Sequence, residues 1–397
     1  MKRLLPLPLF LGLLVSLYAE TPQRTAEFGI DFEAGFANNY INFGELFSSE
    51  TLVIDLNTLP LGGLNTAVAA EGGLFVNVNI KQFSFGWFAG VDTFFTGGLS
   101  GEMAKLFSRG NIEMQNFSGE VLLGGSAFLD TGLKAAMDFK GWKFGFSPSL
   151  FIPLIYMPRP LIRLDLDTAD SLFVDMTVRM NIYTPFPMDT MEFSGDFFRG
   201  TGLDLSLFAE YALLPILDVG GIMSHIPIVP SRLNYGMYVA YQFAFPADSG
   251  DGVPDANLID AMINDELPEF AGDTFYLDGN FLNVFRPLRF DVFARYKPFK
   301  NEFITVKPMI GLSFLTIYGY DTTCFNAELA GGLNLGNLFL LDLSTGYRER
   351  LWRHKLGIAL NFRVVELDLG VALMSPDFKT SFNLSGLSVA FGLRFGY

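Results

Sequence analysis

Leu387-Ser-Val-Ala-Phe-Gly-Leu-Arg-Phe-Gly-Tyr397 is the stretch on which the fold turns. Leu387, Val389, Phe391, Leu393, Phe395 and Tyr397 alternate with Ser388, Ala390, Gly392, Arg394 and Gly396. Successive side chains on a strand point to opposite faces. One face is therefore a wall of aliphatic and aromatic groups, and the other is small with a single charge. A soluble sandwich strand carries such a pattern through its middle but rarely to a terminal aromatic carboxylate. Lipid offers the backbone no hydrogen bonds, so a strand immersed in it must be paired throughout and apolar outside. The stretch predicts the closing strand of a transmembrane β-barrel.

The same period of two recurs upstream. Leu74, Val76, Val78 and Ile80 alternate with Phe75, Asn77, Asn79 and Lys81. Ile162, Leu164 and Leu166 alternate with Arg163, Asp165 and Asp167; Leu203, Leu205, Leu207, Ala209 and Tyr211 alternate with Asp204, Ser206, Phe208 and Glu210. Leu356, Ile358, Leu360 and Phe362 alternate with Gly357, Ala359, Asn361 and Arg363, and Val365 to Leu373 continues in the same way against Glu366, Asp368, Gly370 and Ala372. Buried helices have a period of 3.6 and do not produce this. A soluble β-sandwich does, and it is the outlying alternative. The pattern predicts an all-β chain: one antiparallel barrel of about fourteen strands, within a range of roughly twelve to sixteen and even in number. Asp138-Phe-Lys-Gly141 and Leu335-Gly-Asn337 read as tight turns between strands, the kind that faces the periplasm.

Composition narrows the class. The 397 residues are 50% hydrophobic and only 17% charged, with 43 Phe; a soluble domain has about a quarter of its residues charged. A net charge of -15 leaves no cationic excess to neutralise phosphates, which argues against nucleic acid. Cys324 is the single cysteine, so no intrachain disulfide forms. His225 and His354 are the only histidines, and neither lies near a Gly-x-Ser-x-Gly nucleophile motif. An enzyme, a transition-metal site and a cofactor are therefore not expected.

Met1-Lys-Arg3, the apolar run Leu4 to Leu17 and Ala19 read as a signal peptide over residues 1–19, leaving 20–397 as one barrel domain. Two regions break the alternation. Residues 38–65, with Asn38-Asn-Tyr40 and Leu59-Pro-Leu-Gly-Gly63, suggest a short helix and turns folded into the lumen as an N-terminal plug, or an ordinary first loop. Residues 246–280 hold nine acidic residues and no Lys or Arg, which suggests a long extracellular loop with room for a short helix over Pro254 to Phe270. Within it Asp248, Asp251 and Asp255 have a spacing suited to calcium, although the full ligand pattern is absent.

On the predicted inward face, Phe88, Phe94, Phe151, Phe208 and Tyr238 are interspersed with Arg163, Arg295, Arg363 and Arg394. Rings with a few guanidinium groups suit an amphipathic guest, its chain on the aromatics and its acid group near arginine. A bulge that shifts the register would instead turn these rings to lipid. Arg394 is the one inward charge on the closing strand, and a plug carboxylate is its expected partner. Phe391, Phe395 and Tyr397 read as the signal that the barrel-assembly machinery recognises. Outer-membrane lipids and a hydrophobic small-molecule cargo complete the expected partners.

Gly200-Thr-Gly-Leu-Asp-Leu-Ser-Leu-Phe-Ala-Glu-Tyr211, followed by Leu217-Asp-Val-Gly-Gly-Ile222, resembles a mid-barrel motif of the FadL/TraF-like outer-membrane superfamily. Arg353-His-Lys-Leu-Gly357 and Leu367-Asp-Leu-Gly370 extend the resemblance through the C-terminal half. It implies a barrel of about fourteen strands with an N-terminal plug, related to long-chain fatty-acid transporters. The Asn-Pro-Ala start of those transporters is missing; Asn38-Asn-Tyr40 stands near its place. The expected function is passage of a small hydrophobic or amphipathic molecule, such as a fatty acid, without catalysis. The alternative is a non-transporting barrel serving as a structural or secretion-associated scaffold.

Overall fold

The computed structural model describes residues 24–40, 42, 60, 63–109, 116–158, 161–167, 173–187, 195–246, 272–276, 282–317 and 320–396. Its elements run β1 (Ala26–Asn38), β2 (Gly63–Ile80), β3 (Phe83–Ser100), α1 (Gly101–Arg109), β4 (Asn116–Phe139), β5 (Trp142–Met157), β6 (Leu161–Asp167) and β7 (Phe173–Thr184). Then come β8 (Gly202–Leu214), β9 (Leu217–Val229), β10 (Ser231–Leu233), β11 (Tyr235–Pro246), β12 (Gly272–Tyr276), β13 (Leu282–Val284) and β14 (Leu288–Tyr296). The last six are β15 (Ile304–Ile317), β16 (Tyr320–Leu335), β17 (Phe339–Arg348), β18 (Leu351–Asn361), β19 (Val365–Ser375) and β20 (Gly386–Gly396).

Fourteen of these strands close into an antiparallel ring. β1 to β5 pair in succession, β5 pairs β8, β8 pairs β9, β9 pairs β14, and β14 to β20 pair in succession. β20 then pairs β1 from Glu27↔Gly396 to Ala37↔Gly386, which leaves no edge. The barrel and its strand number agree with the sequence pattern.

Tight turns gather at one end. Lys140 (φ 52°) and Gly141 (φ 81°) link β4 to β5, and Gly336 (φ 64°) and Asn337 (φ 58°) link β16 to β17. Two successive positive φ values match the right-handed twist of the flanking strands. The long connections, including α1 and the segments holding β6, β7 and β10 to β13, lie at the opposite end.

Outside, the wall is apolar. Phe85, Leu133, Phe146, Leu343 and Phe391 are exposed, at 51%, 61%, 54%, 55% and 43%. A soluble protein rarely leaves so much contiguous apolar surface uncovered, and an apolar belt around a closed ring is the exterior of a membrane-spanning barrel. Buried residues form small clusters on the inner face instead of a central core. One is Ala37, Ala67, Leu351, Ala372 and Met374, and another is Phe128, Phe151, Leu233 and Val284.

The wall has one flap and one inward fold. β4 is 24 residues long, whereas about 9–11 residues span the bilayer. Its excess pairs with β6, from Asn116↔Asp167 to Val121↔Ile162, and β7, β11 and β12 extend that sheet beyond the ring. β10 and β13 form a separate two-stranded sheet. Leu233 and Val284 from that sheet pack on the inward rings Phe128 and Phe151, so it sits inside the lumen.

The expected signal peptide, the central part of the 38–65 segment, the expected helix over 254–270 and the calcium candidates Asp248, Asp251 and Asp255 lie outside the described residues. α1 was not expected from the alternation; its Met103 and Ala104 are buried.

Candidate functional site

Strand parity sends Asp31 and Glu33 of β1, Glu71 of β2, Asp92 of β3 and Asp130 of β4 inward, opposite the apolar outer row. With Glu328, Asp342, Glu366 and Asp368 they surround a cavity of about 840 Å³. Arg286, Arg289, Lys355 and Arg394 face the same space. The room is made by glycine: a Cβ on Gly392 would stand 2.9 Å from Asp31 Oδ1 and 3.0 Å from Asp368 Oδ2.

Most of the inward cations are bound to acids, while Lys134 and Lys307 lie over the rings of Phe88 and Phe293. Arg394 lies 3.1 Å from Glu366, 3.3 Å from Asp368 and 3.7 Å from Asp31. Lys355 Nζ donates to Glu33 Oε2 at 2.8 Å, and Arg353 donates to the other oxygen of Glu33. Arg289 pairs with Glu349 at 2.7 Å, Arg295 with Glu210 at 3.2 Å and Lys297 with Asp218 at 2.7 Å. The Arg394 pairs join neighbouring strands, whereas Glu33 of β1 meets Arg353 and Lys355 of β18 across the intervening β19 and β20. These pairs do not neutralise the lumen. Glu33, Glu71 and Asp92 stand in register on three adjacent strands. Of these, Glu71 and Asp92 make no ion pair within 4.0 Å among the described residues, nor do Glu328 and Asp342.

Six of the residues singled out in the sequence occupy the inner face of the ring. Phe88 lies beneath Lys134, whose Nζ is 4.8 Å from the ring centre. Phe94 packs against the cluster of Ala37 and Met374 and against the buried pair Leu315 and Cys324. Phe151 is 1% exposed and meets Phe128 edge-on at 6.1 Å. Phe208 borders a second space of about 570 Å³ at the tight-turn end, beside Lys81 and Lys143. Arg295 and Arg394 are paired as described.

Three others stand elsewhere, and the expectation that they line the lumen is corrected. Arg163 is on β6, exposed and paired with Asp165 at 2.7 Å. Tyr238 is on β11, 37% exposed. Both belong to the flap, because the surplus length of β4 templates a sheet that leaves the ring. Arg363 is exposed in the turn between β18 and β19 with φ 70°. Its N–H donates to Asn361 Oδ1 at 2.9 Å, so an Asn-initiated turn ends the strand that alternation alone would extend. The partner expected for Arg394 is also corrected: its carboxylates come from β19 and β1, the neighbouring wall strands.

One buried charged cluster is not revealed by strand alternation. Arg286 Nη1 donates to Asp130 Oδ2 at 2.7 Å, its Nε lies 3.6 Å from Asp204 Oδ2, and its Nη2 contacts His225 Nε2. His225 takes φ 59° at a bulge, where Ser224 and His225 of β9 stand opposite the single residue Ser206 of β8. The one local signal is Phe285-Arg-Pro287, a charge followed by a residue that cannot donate to a ladder.

No family model matches the chain, and no curated protein matches it. Solved structures do. The toluene transporter TodX of P. putida superposes with a TM-score of 0.51 at 10% identity, over 97% of this chain and 92% of that one. A mutant of TodX, described as a monoaromatic hydrocarbon channel, superposes with a TM-score of 0.51 at 11% identity, over 97% and 94%. At such identities the likeness is one of fold.

Proposed function

We propose that this chain, whose fold is that of the FadL-like outer-membrane barrels, lets a small hydrophobic or weakly amphipathic molecule cross the outer membrane unchanged. The observation that carries this reading is the cavity of about 840 Å³ inside a closed ring. That volume falls in the range of about 300–1,000 Å³ typical of small-molecule sites. The proteins of like fold are a toluene transporter and a monoaromatic hydrocarbon channel, which favours apolar cargo. Phe75, Phe88, Phe94 and Phe208 on the inner face offer it apolar steps.

Charge refines the cargo. Nine carboxylates line the cavity against four cations, and of these Arg394, Arg289 and Lys355 are committed to acids of the protein. A fatty-acid head would compete with those acids and face Glu71 and Asp92. We therefore favour a neutral guest, of the size of a single aromatic ring, over a fatty acid. Absence of catalysis is supported by the commitment of both histidines. His225 is held by Arg286 and by the Pro287 carbonyl at 3.0 Å, and His354 stacks on Phe382 at 4.1 Å on the outer face. Outer-membrane lipids against the apolar belt, and assembly machinery reading Phe391 and Phe395 of β20, are the partners this reading requires; Tyr397 lies outside the described residues.

The scaffold reading is favoured by one observation, the buried Phe128, Phe151, Leu233 and Val284 cluster that occupies part of the lumen. Uptake by proteoliposomes separates the two. Radiolabelled toluene accumulating faster in loaded than in empty vesicles, with labelled palmitate unchanged, is the expected result. Equal rates for toluene would favour the scaffold, and faster palmitate entry would return the cargo to fatty acids.

A further inference from the structure

The connection into β14 leaves the barrel wall. β14 ceases to pair with β9 at Arg289↔Ser224 and with β15 at Leu288↔Phe314. Yet β9 runs on to Val229 and β15 to Ile317. Residues 282–287 would continue β14 between them, but they turn into the lumen instead, where Val284 is 3% exposed against Phe128 and Phe151. Among the described residues, β9 beyond His225 is then paired on one side only, with β8.

This segment takes up part of the interior. Arg286 borders the cavity of about 840 Å³, whereas Phe285 and Pro287 border a space of only about 30 Å³ that shares Asp92 and Arg289 with it. Arg286 holds the segment there through Asp130 of β4, Asp204 of β8 and His225 of β9. The fit is incomplete: Arg286 Nε and Asp204 Oδ2 are both buried without a hydrogen bond. His225 keeps a left-handed backbone that residues with a Cβ rarely adopt. The arrangement thus combines a small number of charged contacts with an edge of β9 that is unpaired among the described residues. In a membrane wall, unpaired backbone groups are costly, so that edge is a second resting place for the same segment.

We infer that the segment Leu282–Pro287 is an internal gate and that Arg286 is its latch. In the latched state the segment narrows the lumen; released from Asp130 and Asp204, it moves toward the wall edge of β9 and the passage widens. The inference rests on the proposed passage of a solute. It differs from the N-terminal plug expected from sequence, because the obstruction comes from the middle of the chain.

The test uses the full chain, refolded and checked by heat-modifiable mobility, in planar bilayers. Arg286→Ala and the shape-preserving Asp130→Asn should each raise single-channel conductance several-fold over wild type. The charge swap Asp130→Arg with Arg286→Asp should return it toward the wild-type value. Unchanged conductance in a folded Asp130→Asn protein overturns the gate, as does a charge swap as leaky as the single variants. If Arg286→Ala does not fold, Asp130→Asn and Asp204→Asn decide. Radiolabelled toluene uptake by the wild type, measured in parallel, keeps the two readings apart. Uptake without a conductance change removes the gate alone, and a conductance change without wild-type uptake removes the passage alone.

Discussion

Phe28 of β1 stands directly opposite Phe395 of β20, and both rings face outward at 42% exposure. Four residues along each strand, Phe32 stands opposite Phe391, exposed at 49% and 43%. The seam that closes the barrel is thus lined on its lipid side by aromatic pairs, which contribute beyond their area.

A cation on this seam should cost most where the bilayer is deepest. Phe391→Lys should destabilise the barrel by about 2–4 kcal/mol, and Phe395→Lys, nearer the tight-turn end, by about 0–1 kcal/mol. Urea unfolding in lipid vesicles, followed by Trp fluorescence, checks the order; equal losses would contradict the assigned depth.

Arg394 serves three carboxylates at once, and its removal leaves Glu366, Asp368 and Asp31 facing one another. The group is about one-third exposed, so solvent screens part of the loss. Arg394→Ala should cost about 1–2 kcal/mol, above an isolated surface pair and below a fully buried one. The urea midpoint should fall by a corresponding amount. Asp368→Asn, which removes one of three like charges, should shift the midpoint little.

Glu71 and Asp92 face the lumen side by side without a cation within ion-pair distance among the described residues. Rings of carboxylates favour cations over anions in a pore. Current through the barrel under a potassium chloride gradient should therefore reverse at the sign of a cation-selective channel. Glu71→Gln with Asp92→Asn should move the reversal potential toward zero. An anion-selective wild type would contradict the electrostatic account of the cavity.

Two glycines of β20 should respond differently to alanine. A Cβ on Gly386 would lie 2.3 Å from the Met374 carbonyl oxygen and 2.6 Å from that of Phe36, both backbone atoms held in the ladder. On Gly392 it would meet mainly carboxylate tips, which can turn aside. Gly386→Ala should cost about 1–3 kcal/mol through overpacking, and Gly392→Ala clearly less. Thermal loss of the compact band on a heat-modifiability gel ranks the two.

Several elements were legible because their cause is local. The alternation from Leu387 to Phe395 and from Val365 to Leu373 follows from the geometry of a strand between lipid and lumen, and the observed β20 and β19 carry it. The turns at Lys140-Gly141 and Gly336-Asn337 follow from which residues tolerate positive φ. Inward placement of Phe88, Phe94 and Phe208 follows from parity alone. Parity failed for Arg163, Tyr238 and Arg363, because it assumes that every alternating segment belongs to the ring and that no turn interrupts it.

What the amino-acid sequence determined by itself is the class of the molecule: an exterior for lipid, an interior for polar groups, and a barrel of about fourteen strands. A period of two is a property of each strand separately, so it survives without knowledge of neighbours. What only the tertiary structure decided is who meets whom inside. Arg394 meets wall acids, the surplus of β4 builds a flap, and Arg286 reaches Asp130 across 156 positions of sequence. Ring closure and strand register bring those groups together, and both are set by all the strands jointly.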